Sequence, residues 1–190
     1  MQFHRLATFI IGIWLGISVF MDYVATENFR TVNRVMTSFD VRVVEHAKKL
    51  GDPDNARYLL RYFAGEANRI LFEQWEWAEL LLGLALLLVL LFARSYQKLA
   101  MGLCVAMIVV VLVQRFKLTP MIVSIGRELE FSSGASRRFA VAHQVYGYVE
   151  IGKLLLGLGI ALKLLIRERA GKRAFVREYE REELMRSRRG

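Results

Sequence analysis

The stretch AELLLGLALLLVLLFA, residues 78–93, contains a single charged side chain and decides the class of this protein. A helix that crosses the hydrocarbon core of a bilayer needs about 20 mostly apolar residues. Extended back to Phe72, the segment reaches that length. The sequence therefore predicts a membrane-spanning helix over about 72–93.

Three other segments have similar length and apolarity, at about 6–24, 99–115 and 139–166. The whole chain is 55% hydrophobic with a mean hydropathy of +0.31, a composition typical of membrane proteins. The sequence predicts an all-α integral membrane protein, built as a four-helix bundle.

The connection between the first two predicted spans is long and has a helical pattern of apolar residues. Gly51 is expected to stop a first helix, and Asp52 and Pro53 to cap and start a second one that runs into span two. We predict extramembrane helices over about 29–70, arranged as a hairpin.

Basic residues indicate the orientation. Those near the predicted cytoplasmic face are Arg5, Arg94, Lys98, Arg167, Arg169, Lys172, Arg173 and Arg177. The positive-inside rule then favours an inner or cytoplasmic membrane with both termini cytoplasmic, although the first connection is also rich in basic residues.

Residues 1–171 form the predicted membrane domain, and 172–190 a charged helical tail. This tail is a solvated helix, a docking arm or a site for anionic lipid. A membrane accounts for the net charge of +9, so nucleic acid is not an expected partner.

Polar residues within the predicted spans are the candidate functional residues. An up-and-down bundle would place most of them at one end, where Asp22, Gln114, Arg115 and Gln144 form an expected polar rim. Glu73 and Glu76 are expected at the membrane interface, with Trp75 and Trp77 as belt residues.

Glu150 and Lys153 lie deep in the fourth predicted span. Their spacing of three residues allows an ion pair, which Glu79 from a neighbouring helix could join. This pair either serves function or only orients helices. His143 lies two turns before Glu150 on the same face and is either a rim histidine or a ligand. His143, Glu150 and Glu79 are the tentative residues of a divalent metal site.

The cofactor is not identified by the sequence. The Glu-x-x-His spacing of di-iron bundles is absent, and His4 and His46 are badly placed to form a haem site with His143. No nucleophile elbow, phosphate loop or zinc-protease helix occurs, so we do not expect an enzyme. The single cysteine, Cys104, is expected to be a small apolar core residue.

Small residues indicate where helices could approach closely. Gly12 and Gly16 form a GxxxG motif in the first span, and Gly102 with Ala106 a weaker one in the third. In the fourth span the small residues are Gly157, Gly159 and Ala161.

The third and fourth spans also carry a family resemblance. Thr119 and Pro120 follow the third span, Phe139 and His143 open the fourth, and Trp14 and Gly16 stand in the first. This pattern resembles the uncharacterised four-helix membrane proteins of the transmembrane protein 205-like type. The resemblance implies the same fold and no defined activity.

Two functions remain open. The chain could be a small membrane protein that binds or moves a cation, a proton or a small ligand at its polar cluster, either alone or as a homo-oligomer. Alternatively, it could be a non-catalytic accessory subunit that holds a larger membrane complex through its helical connection and tail.

Overall fold

The computed structural model describes residues 2–37, 41–49, 51–93, 98–128 and 135–187, and all its regular structure is helical. The helices are α1 (Gln2–Met36), α2 (Val41–Lys49), α3 (Pro53–Phe92), α4 (Lys98–Val113), a π-helix (Gln114–Leu118), α5 (Thr119–Glu128) and α6 (Ala135–Ser187). No strand occurs within these ranges. The all-α prediction is therefore confirmed.

Three helical segments are long and apolar enough to cross a membrane: Phe3–Met36, Asp54–Phe92 and Lys98–Gly126. They include the first three spans that the sequence predicts. The predicted fourth span lies within α6, which is not among these three segments in the described part of the chain. The fourth span and the four-helix bundle therefore stay predictions.

Helix α1 is longer than the sequence predicts. It continues past the expected end of span one to Met36, because residues 24–36 contain neither glycine nor proline to stop a helix. At its end, Thr37 donates from its backbone N–H and from Oγ1 to the carbonyl oxygen of Asn33. The predicted extramembrane region over about 29–70 thus contains the end of α1, then α2 from Val41, and then the first part of α3, while residues 38–40 lie outside the described residues.

The start of α3 confirms the predicted cap. Gly51 has a φ of +95°, in the left-handed region that favours glycine. Asp52 Oδ1 accepts a hydrogen bond of 3.0 Å from the backbone N–H of Asp54, as an N-cap side chain does. Pro53 occupies the first helical position, and α3 then runs without interruption to Phe92. The second extramembrane helix and span two are therefore one helix, whereas the hairpin stays a prediction.

The third predicted span does not end at Arg115. The helix changes to π geometry over Gln114–Leu118, where the N–H of Thr119 donates to the carbonyl oxygen of Gln114, and continues as α5. The next residue, Pro120, has no N–H to donate and its ring would clash with the carbonyl of the residue four before it. The wider π turn accommodates the proline without ending the helix.

The chain divides into two compact units. Unit 1 comprises Met1–Leu15, Leu81–Val110 and Tyr148–Gly190, and its core is apolar. The fully buried side chains there include Ile11, Trp14, Leu86, Leu90, Met107, Ile160 and Leu164. Cys104 is also buried and its thiol lies 3.5 Å from the carbonyl oxygen of Gly83, as expected for a core cysteine.

Close packing in unit 1 involves Gly157, which the sequence indicates, and Gly83, which it does not. A Cβ atom on Gly83 would lie 2.8 Å from Ile108 Cγ1 and 3.1 Å from the Trp14 ring. A Cβ atom on Gly157 would lie 2.8 Å from Leu15 Cδ2. By contrast, no described neighbouring atom lies within 4 Å of a Cβ built on Gly12 or Gly102. The prediction of close approach is wrong at these two glycines, because neither faces a neighbouring helix at contact distance.

Unit 2 comprises Gly16–Leu80 and Val111–Gly147, and it has a more polar interior. Its buried polar side chains are Ser18, Asn68, Glu76, Glu79, Gln114 and Thr119. Asn28 Nδ2 donates to Asn68 Oδ1 at 2.6 Å, and Asn68 Nδ2 donates to the carbonyl oxygen of Ala25 at 3.0 Å. These bonds join α1 to α3 within unit 2.

Candidate functional site: the buried carboxylates

Among the described residues of unit 2, Glu76 and Glu79 of α3 are the most buried carboxylates. Their exposed fractions are 1% and 0%, and their spacing of three residues places them on neighbouring positions of one helix face. Burying a charged carboxylate is unfavourable unless hydrogen bonds or opposite charges compensate for lost water. Their partners therefore define the site.

Glu76 has partners from two other segments of unit 2. Thr119 Oγ1 and the Tyr146 hydroxyl, the latter at 3.3 Å, both donate to Glu76 Oε1. Arg115 Nη1 lies 3.8 Å from Oε2, within ion-pair range but beyond hydrogen-bond length. Two hydroxyls thus orient the carboxylate while a guanidinium balances its charge.

The π-helix contains one of the two residues that reach Glu76 from this part of the chain and is followed by the other. Arg115 is in its first turn, and Thr119 follows its last residue. Because each residue in a π turn advances the side chain by a smaller angle than in an α-helix, this geometry changes which residues share a face. The π turn is therefore part of how the site is built.

Aromatic side chains hold Arg115 and Tyr146 in place. The Arg115 guanidinium carbon lies 5.4 Å from the centroid of the Trp77 ring, a cation–π geometry. Trp77 makes an edge-to-face contact with Phe116, with ring centroids 6.4 Å apart. Tyr146 makes a similar contact with Phe72 at 6.0 Å.

Glu79 has a partner from α1. Ser18 Oγ, which is itself buried, donates to Glu79 Oε1 at 3.3 Å. The serine was not among the predicted site residues. The only feature of the sequence that indicated Ser18 was its hydroxyl group within the long apolar segment 6–24.

Glu76 and Trp75 are buried among protein side chains, whereas Trp77 is 51% exposed and Glu73 is partly exposed in a pair with Arg69. The position of these residues at a membrane interface stays a prediction. An entering helix presents some positions to lipid and others to its neighbours. The sequence alone did not show which face was which.

In unit 1, Lys153 Nζ lies 2.8 Å from Glu150 Oε2, and both side chains are buried. The geometry is the one that the spacing of three residues predicts. A buried pair at this distance compensates two charges that would each be strongly unfavourable alone. Whether it serves function or only stability stays a prediction.

The other predicted site residues differ in their exposure. His143 is exposed and its ring stacks on Phe139, with centroids 5.9 Å apart. Gln144 is exposed, Asp22 is half-buried, and Gln114 is buried within the π-helix. Within the described residues, no three His, Cys, Asp or Glu side chains are grouped so that they could hold a metal ion. The predicted metal site of His143, Glu150 and Glu79 is therefore not among the possible metal-ion groups in the described part of the chain.

No protein-family model, no curated protein and no solved structure matches this chain. The resemblance to transmembrane protein 205-like proteins stays a prediction.

Proposed function

We propose that this chain is an integral membrane protein that binds and exchanges a proton at Glu76. The observation that supports the proposal is the nearly complete burial of this carboxylate in a helix long enough to cross a membrane. Ionisable groups at such positions are unfavourable and often serve proton or ion pathways.

The partners of Glu76 fit both charge states. In the charged state, two hydroxyls donate to Oε1 and Arg115 balances the charge from 3.8 Å. A proton taken up at Oε2 neutralises the carboxylate without disturbing the hydroxyl contacts at Oε1. The guanidinium then retains its charge and is stabilised by the Trp77 ring. Glu79, one turn further along α3, is a second carboxylate that could accept the proton.

Substitution of Glu76 by glutamine tests this function. The full chain is reconstituted in liposomes that contain a pH-sensitive dye, and the internal pH is followed after an external acid pulse. We expect the wild-type protein to accelerate proton entry and Glu76→Gln to abolish the acceleration. Glu66→Gln is the matched control, since Glu66 lies on the same helix but pairs with Arg69 at a partly exposed position.

A second readout follows the proton itself. Infrared difference spectra between acidic and neutral samples should contain a carboxyl signal that disappears in Glu76→Gln and persists in Glu66→Gln. Equal proton entry and equal carboxyl signals in both variants would overturn the assignment. If the protein instead moves a metal cation, the accelerated change in internal pH should depend on the sodium or potassium concentration.

An accessory role is the second candidate, and a different surface favours it. Tyr58, Leu59, Tyr62 and Phe63 are exposed on the first turns of α3, before the predicted second span. Such an apolar patch outside the span fits contact with another protein. Stoichiometric co-purification of larger membrane subunits, lost in Phe63→Glu and kept in Glu76→Gln, would support this role.

A further inference from the structure

Arg115 has more hydrogen-bonding capacity than its described contacts use. A guanidinium carries five N–H donors in a fixed plane. Its Nη1 is too far from Glu76 for a hydrogen bond, and its contact with Trp77 involves only the face of the ring. Its Nε–H is buried and has no hydrogen-bond partner among the residues that the structure describes. The side chain as a whole is 22% exposed, so a ligand would reach the terminal nitrogens, and guanidinium N–H groups can bind two oxygens of a phosphate or carboxylate.

Besides the Glu76 carboxylate, Arg115 has aromatic neighbours and lies in a basic stretch of the sequence. Trp77 and Phe116 are both more than half exposed and contact each other edge to face. Lys117 is exposed two residues further on, and residues 114–126 contain no acidic side chain. A ligand here would meet an anion-binding group beside an apolar aromatic surface.

The predicted membrane position fits a lipid. Arg115 closes the predicted third span, and Trp77 lies near the start of the predicted second one. Tryptophan is enriched where hydrocarbon meets headgroups, and basic residues there attract anionic lipids. A phospholipid has both required parts, since its phosphate can accept from the guanidinium edge while its glycerol and chains cover the rings.

We propose that Arg115, Trp77 and Phe116 form a binding site for a phosphate group. The source that best matches the aromatic surface is a phospholipid headgroup, whereas a free phosphate would use only the guanidinium. This binding site is distinct from the proposed proton exchange, because phosphate binding depends on the unused N–H donors of Arg115 and not on the titration of Glu76.

Native mass spectrometry of the full chain in detergent tests the lipid source. Phosphatidylglycerol is the probe, and diacylglycerol, which has no phosphate, is the control lipid. The Glu76→Gln protein serves as background, so that removing Arg115 does not leave a buried carboxylate alone. In this background, Arg115→Met should weaken phosphatidylglycerol binding about tenfold, the loss expected for a charge-assisted hydrogen bond. Diacylglycerol binding should not change.

Arg61→Met is the matched control. Arg61 also lies over an aromatic ring, 5.9 Å from the Phe29 centroid, and it is exposed. Arg61→Met should leave phosphatidylglycerol binding unchanged. Arg115→Lys should weaken this binding, because lysine keeps the positive charge but lacks the planar guanidinium. Retained helicity in circular dichroism verifies that each variant is folded.

Calorimetry with inorganic phosphate in lipid-free detergent distinguishes the sources. Phosphate binding that requires Arg115, together with equal lipid binding in both Met variants, supports the phosphate site with a free anion as its ligand. Loss of phosphatidylglycerol in Arg115→Met alone supports the headgroup. If Arg115→Met and Arg61→Met retain lipid and phosphate equally, the proposal is overturned.

Discussion

Thr119 donates its hydroxyl hydrogen to Glu76, a buried carboxylate 43 residues earlier in the chain. The bond joins the end of the π-helix to the middle of α3 within unit 2. It also fixes one carboxylate oxygen, so that the other faces Arg115. The candidate site thus depends on a contact between two helices, and its parts can be removed one at a time.

Thr119→Val should lower the free energy of unfolding by about 1–3 kcal/mol, because valine keeps the shape but removes a donor from a buried acceptor. Unfolding in mixed detergent micelles, followed by circular dichroism, measures the change. Thr26→Val is the control, since the exposed Thr26 hydroxyl bonds only to the carbonyl oxygen of Asp22 in its own helix. Equal effects of the two substitutions would contradict a special role for Thr119.

Pro120→Ala should return the π turn towards regular α geometry, because alanine supplies an N–H and removes the ring clash. Thr119 would then rotate away from Glu76. The stability lost in Pro120→Ala and in Thr119→Val should therefore not add in the double variant, because both remove the same contact. Pro53→Ala, at the first turn of α3, should have little effect. If the stability losses of Pro120→Ala and Thr119→Val add fully in the double variant, the proline does not control the contact between Thr119 and Glu76.

Lys153→Met should destabilise the protein by about 3–5 kcal/mol by leaving Glu150 as a lone buried charge. The double variant with Glu150→Gln should recover much of the loss. Lys163→Met is the control on the same helix, because Lys163 is exposed. If proton entry survives in the stable double variant, the pair is structural, and if it is lost, the pair belongs to the pathway. A small stability loss in Lys153→Met would show that the Glu150–Lys153 ion pair is not needed for stability.

Gly83→Ala should destabilise by about 1–3 kcal/mol, since its new Cβ would meet Ile108 and the rigid Trp14 ring. Gly102→Ala should be neutral or stabilising by up to about 1 kcal/mol, because the added methyl group meets nothing and alanine favours a helix. The same unfolding assay measures both. The opposite ranking would show that the GxxxG-like position of the third span, and not Gly83, forms the close contact.

Cysteine labelling at Lys48 and Lys98 tests the orientation. In a Cys104→Ala background, a membrane-impermeant thiol reagent should reach the two introduced cysteines from opposite sides of the membrane, because span two lies between them. Labelling after permeabilisation is the control for accessibility. Labelling of both from one side would exclude the predicted topology.

The sequence by itself determined the features that depend on near neighbours in the chain. The apolar lengths of the first three spans, the Asp52–Pro53 start of α3 and the pairing of Glu150 with Lys153 could all be predicted. Each depends on groups within about four residues, whose relative positions the helix geometry fixes. The lack of a glycine or proline between residues 24 and 36, which allows α1 to continue to Met36, is equally local.

The tertiary structure alone decided which faces of the helices meet. It buried Glu76 and Trp75 while leaving Trp77 and His143 exposed, and it selected Gly83 rather than Gly102 for close contact. The physical reason is that the rotation of a helix about its axis is set by side-chain packing across the interface, which the spacing within one helix does not contain. The two hydroxyl groups that donate to Glu76, from Thr119 and Tyr146, therefore lie 43 and 70 residues later in the chain.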